Sequence, residues 1–212
     1  MSIVFYAGSG STPSWKVWLS LEHKQLPYEL KLLSFSAGET RAPAFLAVNP
    51  RGRVPTLVDG DFALWESTAI IEYLEDRYPE RPILPRDARE RGRVRRIMME
   101  ADFELDAAMD EMARATFRAP GGARDAALLE RGRTAALAFI ARLEDDVRGP
   151  FVAGAEPGMA DFTIYPMLAM IRRTAARFEA GQIPFGPQVA AWMQQVEALP
   201  YFERTYPPHW RS

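Results

Sequence analysis

The sequence predicts a small α/β domain followed by an all-α domain, and three observations support this fold class. Short strand-like and helix-like segments follow one another through the first 79 residues. Prolines at positions 79, 82 and 85 then interrupt the chain, and proline is typical of linkers because it breaks helices and strands. Beyond residue 88 the apolar residues recur three or four apart, which is the spacing of amphipathic helices. We therefore expect domains at residues 1–79 and 89–212, joined by a linker at 80–88.

The elements of the first domain follow the order strand, helix, strand, irregular segment, strand, strand, helix. The predicted strands are residues 3–6, 28–32, 54–58 and 62–65. Thr12 followed by Pro13 is typical of an N-cap and a first helical position, so we expect a helix from there to about residue 24. A second helix is expected from Glu66 to Tyr78, because its apolar residues line one face. This order predicts a mixed sheet.

The second domain is predicted to consist of long helices. The first covers residues 94–112, and the stretch at 120–122 (Pro-Gly-Gly) separates it from a second helix that ends near residue 147. A third helix is expected to begin near Met159, and a fourth to cover residues 189–198. Asp161 is then a helix-starting residue with a structural role. Because Gly158 has no side chain to complete a capping box, we expect a slightly weaker cap there.

The composition excludes several classes of function. With 26 basic and 28 acidic residues the net charge is −2, so no basic field favours nucleic acid or an anionic membrane. The sequence has no cysteine, which excludes disulfides, a protein thiol nucleophile and thiolate-bound metals. His23 and His209 lie too far apart in sequence to suggest a metal site. The N-terminus has no leader pattern and no apolar run approaches the ~18 residues of a membrane span, so we expect a cytoplasmic protein.

The turn between the first strand and the first helix is a candidate anion site. Residues 9–14 read Ser-Gly-Ser-Thr-Pro-Ser. Free N–H groups at a helix N-terminus, together with the helix dipole, favour a negative charge. The hydroxyl of Ser11 adds a possible hydrogen bond to that anion. Taken singly, such a turn is more often only a capped loop.

Two further segments of the first domain are candidate binding sites. Arg53-Val54-Pro55 opens a strand, where a cis peptide bond would expose the N–H and C=O of Val54 to an extended peptide. Glu66-Ser67 lies where a strand meets another helix N-terminus, a second place suited to a carboxylate. Each of these patterns alone is also typical of ordinary structure.

Together, four ordered segments resemble the cytosolic glutathione transferases over almost the whole chain. Residues 49–57 (Asn-Pro-Arg-Gly-Arg-Val-Pro-Thr-Leu) resemble the stretch that leads into that family's cis-proline, and residues 64–70 (Leu-Trp-Glu-Ser-Thr-Ala-Ile) resemble its glutamyl-binding strand and helix. Residues 151–161 are similar to the folding motif of the helical domain, and residues 191–202 to the C-terminal helix. The resemblance implies a thioredoxin-like N-terminal domain joined to an all-α bundle.

The first turn is similar to that of serine-type, zeta-like members of the family. Matching this pattern position by position places the activating hydroxyl at Ser11. Pro13 stands where the pattern has a cysteine, which argues against zeta-type isomerase activity. Tyr6 is the alternative hydroxyl, because other classes place a catalytic tyrosine at the end of the first strand. The remaining candidates in the turn are Ser9, Thr12 and Ser14.

The resemblance implies a glutathione transferase that conjugates the glutathione thiolate to an apolar electrophile and needs no metal. The γ-glutamyl carboxylate is expected at Glu66-Ser67, the cysteinyl backbone at Val54 beside Pro55, and the glycyl carboxylate near Arg53. The second substrate is expected between the domains, against Tyr6, Ser11 and the first long helix. The candidate contacts on and just after that helix are Phe103, Met109, Met112 and Phe117.

Other interpretations stay open at this point. The chain would be a glutathione-dependent cis–trans isomerase if glutathione were regenerated rather than consumed. It would be a ligand carrier or an adaptor if it bound without turnover. The resemblance also implies a homodimer. The charged residues between 89 and 111 are expected to form a solvated face with local ion pairs.

Overall fold

A computed structural model of the chain describes residues 3–211. Its contacts divide the chain into two compact units. The first comprises the chain up to Leu84 together with the segment from Pro200 onward, and the second comprises Pro85–Leu199. The segment from Pro200 onward therefore packs with the first unit, whereas the expected boundaries place it in the helical domain.

The first unit has a thioredoxin-like arrangement around a mixed sheet. Its elements are β1 (Ile3–Gly8), α1 (Thr12–Lys24), β2 (Tyr28–Leu33), α2 (Pro43–Leu46), β3 (Thr56–Asp59), β4 (Phe62–Trp65) and α3 (Ser67–Arg77). The strand order is β2-β1-β3-β4, with β2 parallel and β3 antiparallel to β1, and β4 antiparallel to β3. The predicted mixed sheet and order of elements are confirmed. The short α2 lies in the segment that the sequence left irregular.

The two faces of β1 pack against different helices. Phe5 is fully buried and meets Trp18 of α1 edge-on, with ring centroids 6.4 Å apart. Tyr6 is on the opposite face and packs against Phe45 of α2, with ring centroids 5.3 Å apart. Alternate side chains of a strand point to opposite faces, so Phe5 faces α1 and Tyr6 faces α2.

A buried ion pair joins α1, α3 and the segment that follows α3. The Nζ of Lys24 donates to Glu75 Oε2 at 3.0 Å and to the carbonyl oxygens of residues 78 and 81 at 2.9 Å. Glu75 in turn accepts from the backbone N–H groups of residues 83 and 84, at 2.8 and 3.2 Å. Both side chains are almost fully buried, 1% and 6% exposed. Each charge therefore has several partners, which buried charges require.

The segment from Pro200 onward, which we call the C-terminal segment, is held on α1 by aromatic packing. It contains the short helix from Phe202 to Thr205. The ring of Trp15 lies 5.8, 5.7 and 5.4 Å from the rings of Phe202, Tyr206 and Trp210. The Nε1 of Trp15 also donates to Thr205 Oγ1 at 2.9 Å. These contacts explain why the segment belongs to the first unit.

The second unit is helical. Its main elements are α4 (Ala88–Ala115), α5 (Ala126–Asp146), α6 (Met159–Arg177) and α7 (Pro187–Glu197). The predicted all-α architecture is confirmed, with the first helix longer than the periodic stretch at 94–112. Asp87 starts it early, because its carboxylate accepts from the N–H groups of Arg89 and Glu90 at 3.0 Å. None of the helices within residues 3–211 is long and apolar enough to cross a membrane.

Ion pairs link the charged face of α4 to its neighbours. Arg96 binds Glu100 on the same helix at 2.7 Å and Asp146 of α5 at 2.8 Å. Glu111 pairs with Arg131 of α5 at 2.7 Å. Most of these groups are substantially exposed, so each pair contributes little to stability on its own. The acidic side chains are nevertheless occupied by local partners.

Asp161, which is fully buried, organises the start of α6. Its Oδ2 accepts from the Gly158 N–H at 2.8 Å, and its Oδ1 accepts from the Val152 N–H at 2.9 Å and from Trp192 Nε1 at 2.6 Å. Burial raises the pKa of this carboxyl to about 6 against the pull of those hydrogen bonds. Bonds to Val152 and Trp192 thus supplement a cap that Gly158 cannot complete with a side chain.

Candidate functional site

The end of β1, the start of β3 and the end of β4 meet at one edge of the sheet. Tyr6 is paired with Thr56, and Thr56 is paired with Trp65. The turn after β1, the segment before β3 and the junction after β4 therefore leave the sheet side by side. A Cβ placed on Gly8 would lie 3.1 Å from Val54 Cγ2, which confirms the close approach of the first two. The structure brings together the three segments that the sequence singled out.

Ser11 is the N-cap of α1. Its backbone is extended, with φ −76° and ψ 111°, and its Oγ accepts from the Ser14 N–H at 3.3 Å. The prediction that Thr12 is the N-cap is wrong, because Thr12 already belongs to the helix. Both residues have suitable side chains, and the backbone conformation decides between them.

A chain of hydrogen bonds runs through the side chains of this turn. The Gly8 N–H donates to Ser14 Oγ at 3.3 Å, and the Ser14 hydroxyl donates to Ser11 Oγ at 3.0 Å. A hydroxyl has one proton to donate and two lone pairs to accept with. Ser11 Oγ accepts from both the N–H and the hydroxyl of Ser14, and within residues 3–211 its own proton has no recorded acceptor. That proton is available to an incoming group.

The other candidate hydroxyls are differently placed. Ser14 is 1% exposed and Thr12 is 7% exposed, so neither offers its hydroxyl to a molecule outside the protein. Tyr6 is half-buried against Phe45. Ser9 Oγ lies 2.6 Å from Nδ1 of His209, a residue of the C-terminal segment. Ser11 is half-buried, and its hydroxyl proton has no acceptor within residues 3–211.

The peptide bond between Val54 and Pro55 is cis, as the sequence suggested. Pro55 is buried, Val54 is half-buried and Arg53 is exposed. Within the described residues, the backbone N–H and C=O of Val54 have no recorded hydrogen-bond partner. This segment therefore offers an unpaired backbone edge, which is suited to an extended peptide.

Asn49 shapes the loop before this edge, and sequence reasoning did not assign it a role. Its Nδ2 donates to the Arg53 carbonyl and to Thr56 Oγ1, both at 2.8 Å, and its Oδ1 accepts from the Arg51 N–H at 3.0 Å. The side chain is fully buried. A buried asparagine with this many bonds fixes the backbone around it. The available signal was its place at the start of the 49–57 stretch, which the sequence analysis compared with the segment before the family's cis-proline.

Glu66 and Ser67 lie at the start of α3. Glu66 has φ +70° and ψ 112°, an unusual conformation for a residue other than glycine, and its side chain is exposed. Such local strain is concentrated at functional sites. Lys16 of α1 is 1% exposed, and its Nζ donates to Thr68 Oγ1 at 2.9 Å. The N-terminus of α3 therefore combines the positive end of a helix dipole with a nearby buried cation, which favours a carboxylate.

The four residues predicted on the first long helix have different environments within the helical unit. Met112 is 1% exposed and belongs to its core, whereas Met109 is half-buried. Phe103 and Phe117 are 71% and 58% exposed. They do not form one continuous lining within this unit. Across residues 3–211, no cluster of histidine, aspartate and glutamate is arranged to hold a metal ion.

Comparison with known proteins identifies the family. The model of the glutathione S-transferase N-terminal domain matches residues 10–77, and that of the C-terminal domain matches residues 126–195. The zeta-class glutathione S-transferase of Euphorbia esula is 30% identical over 207 residues, which are 95% of this chain and 88% of that protein. The maleylacetoacetate isomerase of Pseudomonas aeruginosa is 31% identical over 202 residues, 93% of this chain and 92% of that protein.

Solved structures agree with these sequence matches. The crystal structure of a glutathione S-transferase from the Antarctic clam Laternula elliptica has a TM-score of 0.85 and 34% identity, covering 100% of this chain and 95% of that one. The fold of this chain is therefore that of the clam protein over its whole length. The chain belongs to the glutathione S-transferase family.

Proposed function

We propose that this protein is a glutathione transferase that joins the thiolate of glutathione to an apolar electrophile, with the Ser11 hydroxyl stabilising the thiolate. The observation that carries this proposal is the hydrogen-bond chain through Ser14, which engages both lone pairs of Ser11 and leaves its proton to donate. Hydrogen bonds in series polarise one another, so the last donor is strengthened. The helix N-terminus adds a positive potential at the same place.

These interactions have the magnitude that thiol activation needs. A free thiol has a pKa of about 8.5, so only a few per cent is ionised at neutral pH. Lowering the pKa by two units requires roughly 2.7 kcal/mol. A hydrogen bond to a charged group supplies about 1.5–3 kcal/mol and the helix dipole about 0.3–1 kcal/mol. Ser11 and the N-terminus of α1 are together sufficient.

The rest of glutathione is assigned to the same sheet edge. Its cysteinyl backbone pairs with the unpaired N–H and C=O of Val54, where Pro55 sets the direction of the edge. Its γ-glutamyl carboxylate binds the N–H groups and the hydroxyl at Ser67, and Glu66 offers a carboxylate to the neighbouring ammonium. Arg53, which is exposed, is assigned to the glycyl carboxylate.

The electrophile is assigned to apolar side chains outside the glutathione contacts. In the first unit, the half-buried Tyr6 is a proposed contact, whereas Thr12 is buried and is not. In the helical unit, Phe103 and Phe117 are exposed and Met109 is half-buried, so a ligand can reach these side chains. Met112 is 1% exposed in the core of that unit, so it is not a proposed contact. Methionine adapts to varied apolar ligands.

A glutathione-dependent cis–trans isomerase is the second candidate function. The observation that favours it is the 31% identity with a maleylacetoacetate isomerase over 93% of this chain. Both reactions begin with the same thiolate, but conjugation consumes glutathione whereas isomerisation regenerates it. Following free thiol during turnover of a maleyl diketo acid and of a chlorodinitrobenzene separates the two. We further propose that the protein is a cytoplasmic homodimer, which sedimentation and cell fractionation would test.

The decisive experiment is a titration of protein-bound glutathione by thiolate absorbance. In the wild type we expect a thiol pKa about two units below that of free glutathione. Ser11→Ala should raise it towards the free value and lower conjugation tenfold or more, whereas Ser11→Thr, which keeps the hydroxyl, should restore most of both. Tyr6→Phe is the control for the alternative hydroxyl. A normal pKa in the wild type, or an effect of Tyr6→Phe but not of Ser11→Ala, would contradict the assignment.

A further inference from the structure

The C-terminal segment brings a histidine to the turn that we assign to the glutathione sulfur. Ser9 Oγ lies 2.6 Å from Nδ1 of His209, although the two residues are 200 positions apart in sequence. In one tautomer the serine hydroxyl donates to Nδ1, and in the other Nδ1–H donates to the serine oxygen. In both cases the bond fixes the Ser9 side chain relative to the imidazole.

The same imidazole lies over Gly10, between Ser9 and Ser11. Gly10 has φ +76°, in the left-handed region that favours glycine. A Cβ at this position would lie 2.5 Å from Cε1 and 3.0 Å from Nε2 of His209. The ring thus occupies the space that a side chain would otherwise need, and it contacts the backbone immediately before the N-cap.

The position of His209 is set by its neighbour in the sequence. Trp210 is 7% exposed and meets Trp15 of α1 edge-on, with ring centroids 5.4 Å apart and an interplanar angle of 89°. Trp15 lies one turn after Ser11 on the same helix. The imidazole and the turn are therefore anchored to one rigid element, and the ring is not carried by a loose chain end. His209 itself is exposed, so burial contributes little to this contact and the directed polar bond is its main feature.

We propose that His209 is a positioning residue of the glutathione site: by holding Ser9 and covering Gly10, it keeps the Ser9–Ser11 backbone in the conformation that presents the Ser11 hydroxyl and the helix N-terminus to the sulfur. This inference rests on the proposed function. It makes the C-terminal segment a working part of a site that is otherwise built from the first 67 residues. Activity then depends on the contact between His209 and Ser9, and not only on the fold.

The test is a double-mutant cycle on the full chain, read by the thiol pKa of bound glutathione and by kcat/KM with a chlorodinitrobenzene. His209→Phe keeps a ring over Gly10 and removes the bond, and Ser9→Ala removes the partner. We expect each to lower kcat/KM about tenfold and to raise the bound-thiol pKa by about one unit. The double variant should be no worse than either single one, because both remove the same bond. His209→Asn places an amide near the position of Nδ1 and should stay within about threefold of the wild type.

The outcomes separate this inference from the proposed function. A wild type with a lowered thiol pKa, accompanied by His209→Phe at the wild-type pKa and kcat/KM, overturns the positioning role alone. Losses that add in the double variant, or a lower melting temperature without any change in thiol pKa, also overturn it. A wild type that does not bind glutathione, or binds it without a lowered thiol pKa, overturns both the proposed function and this inference.

Discussion

At the scale of single residues, the proposed chemistry of the site depends on which hydroxyl keeps a proton to donate. Ser14 does not meet the solvent, yet it donates twice to Ser11, through its N–H and its hydroxyl. Its proposed effect on bound glutathione is therefore indirect. Catalysis at such a site is a property of an ordered set of hydrogen bonds, of which only the last member contacts the substrate.

We predict that Ser14→Ala raises the bound-thiol pKa by about half a unit to one unit and lowers conjugation several-fold. The reason is that Ser11 Oγ would lose the hydroxyl that donates to it. Its own hydroxyl proton would then be less firmly directed towards the sulfur of glutathione. Ser20→Ala is the matched control, since Ser20 is a fully buried serine of the same helix that donates to the Lys16 carbonyl at 3.0 Å. Thiolate titration of both variants is the measurement. Equal pKa values in the two variants would contradict the relay.

The sequence identifies candidate residues that belong to local motifs and misses those whose proposed role depends on distant contacts. Ser11, Val54 and Glu66 belong to short motifs beside strand ends, so pattern and resemblance identify them. His209 contacts Ser9 although the two are 200 positions apart, and no sequence motif near either residue predicts the contact. The wrong choice of Thr12 as N-cap has a different cause, because adjacent hydroxyl residues differ only in backbone conformation.

At the scale of elements, the placement of α1 against α3 depends on the buried pair between Lys24 and Glu75. This pair also binds the backbone from residue 78 to residue 84, so it fixes the exit of the chain from the first unit. A buried charge without its partner is costly, whereas the intact pair adds little over apolar packing. The pair thus fixes how α1, α3 and residues 78–84 are arranged, and it adds little to the free energy of unfolding.

We predict that Lys24→Met lowers the free energy of unfolding by about 3–5 kcal/mol, because it leaves the Glu75 carboxylate buried with only backbone donors. The matched control is Lys31→Met, which removes an exposed pair with Glu29 (46% and 55% exposed) and should leave the free energy of unfolding essentially unchanged. Denaturant unfolding of both variants measures the difference. A small loss in both would show that Glu75 is satisfied by the backbone alone.

The long helices and the order of elements along the chain are predictable because their periodic signals repeat. The helices of the second unit and the mixed sheet of the first are of this kind. The short α2 has too few residues for a period to show, and α4 begins before its apolar stripe because Asp87 caps it. Periodicity also cannot tell which unit a terminal segment joins, which is why the C-terminal segment needed the contacts of Trp15 to be placed.

At the scale of the whole molecule, the half-buried His23 and the buried Asp161 act on stability over the same pH range with opposite signs. Burial and the charges of Lys24 and Arg81 lower the pKa of His23 from 6.5 to about 4. The unfolded chain then binds more protons than the folded one, so stability falls as the pH decreases from about 6.5 to 4. Burial raises the pKa of Asp161 from 3.8 to about 6, so this group alone makes stability rise as the pH decreases through about 6 towards 4.

We predict that these opposed contributions largely cancel in the wild type and separate in single variants. His23→Asn keeps a polar atom near the Tyr201 hydroxyl, which lies 2.9 Å from Nδ1. Relative to this variant, the wild type should lose stability on acidification from pH 6.5 to 4. Asp161→Asn is destabilised at every pH because its amide faces donors, but its deficit against the wild type should grow on acidification, by up to about 3 kcal/mol. Denaturant unfolding at several pH values measures both differences, and parallel curves for the wild type and either variant would contradict the role of that group.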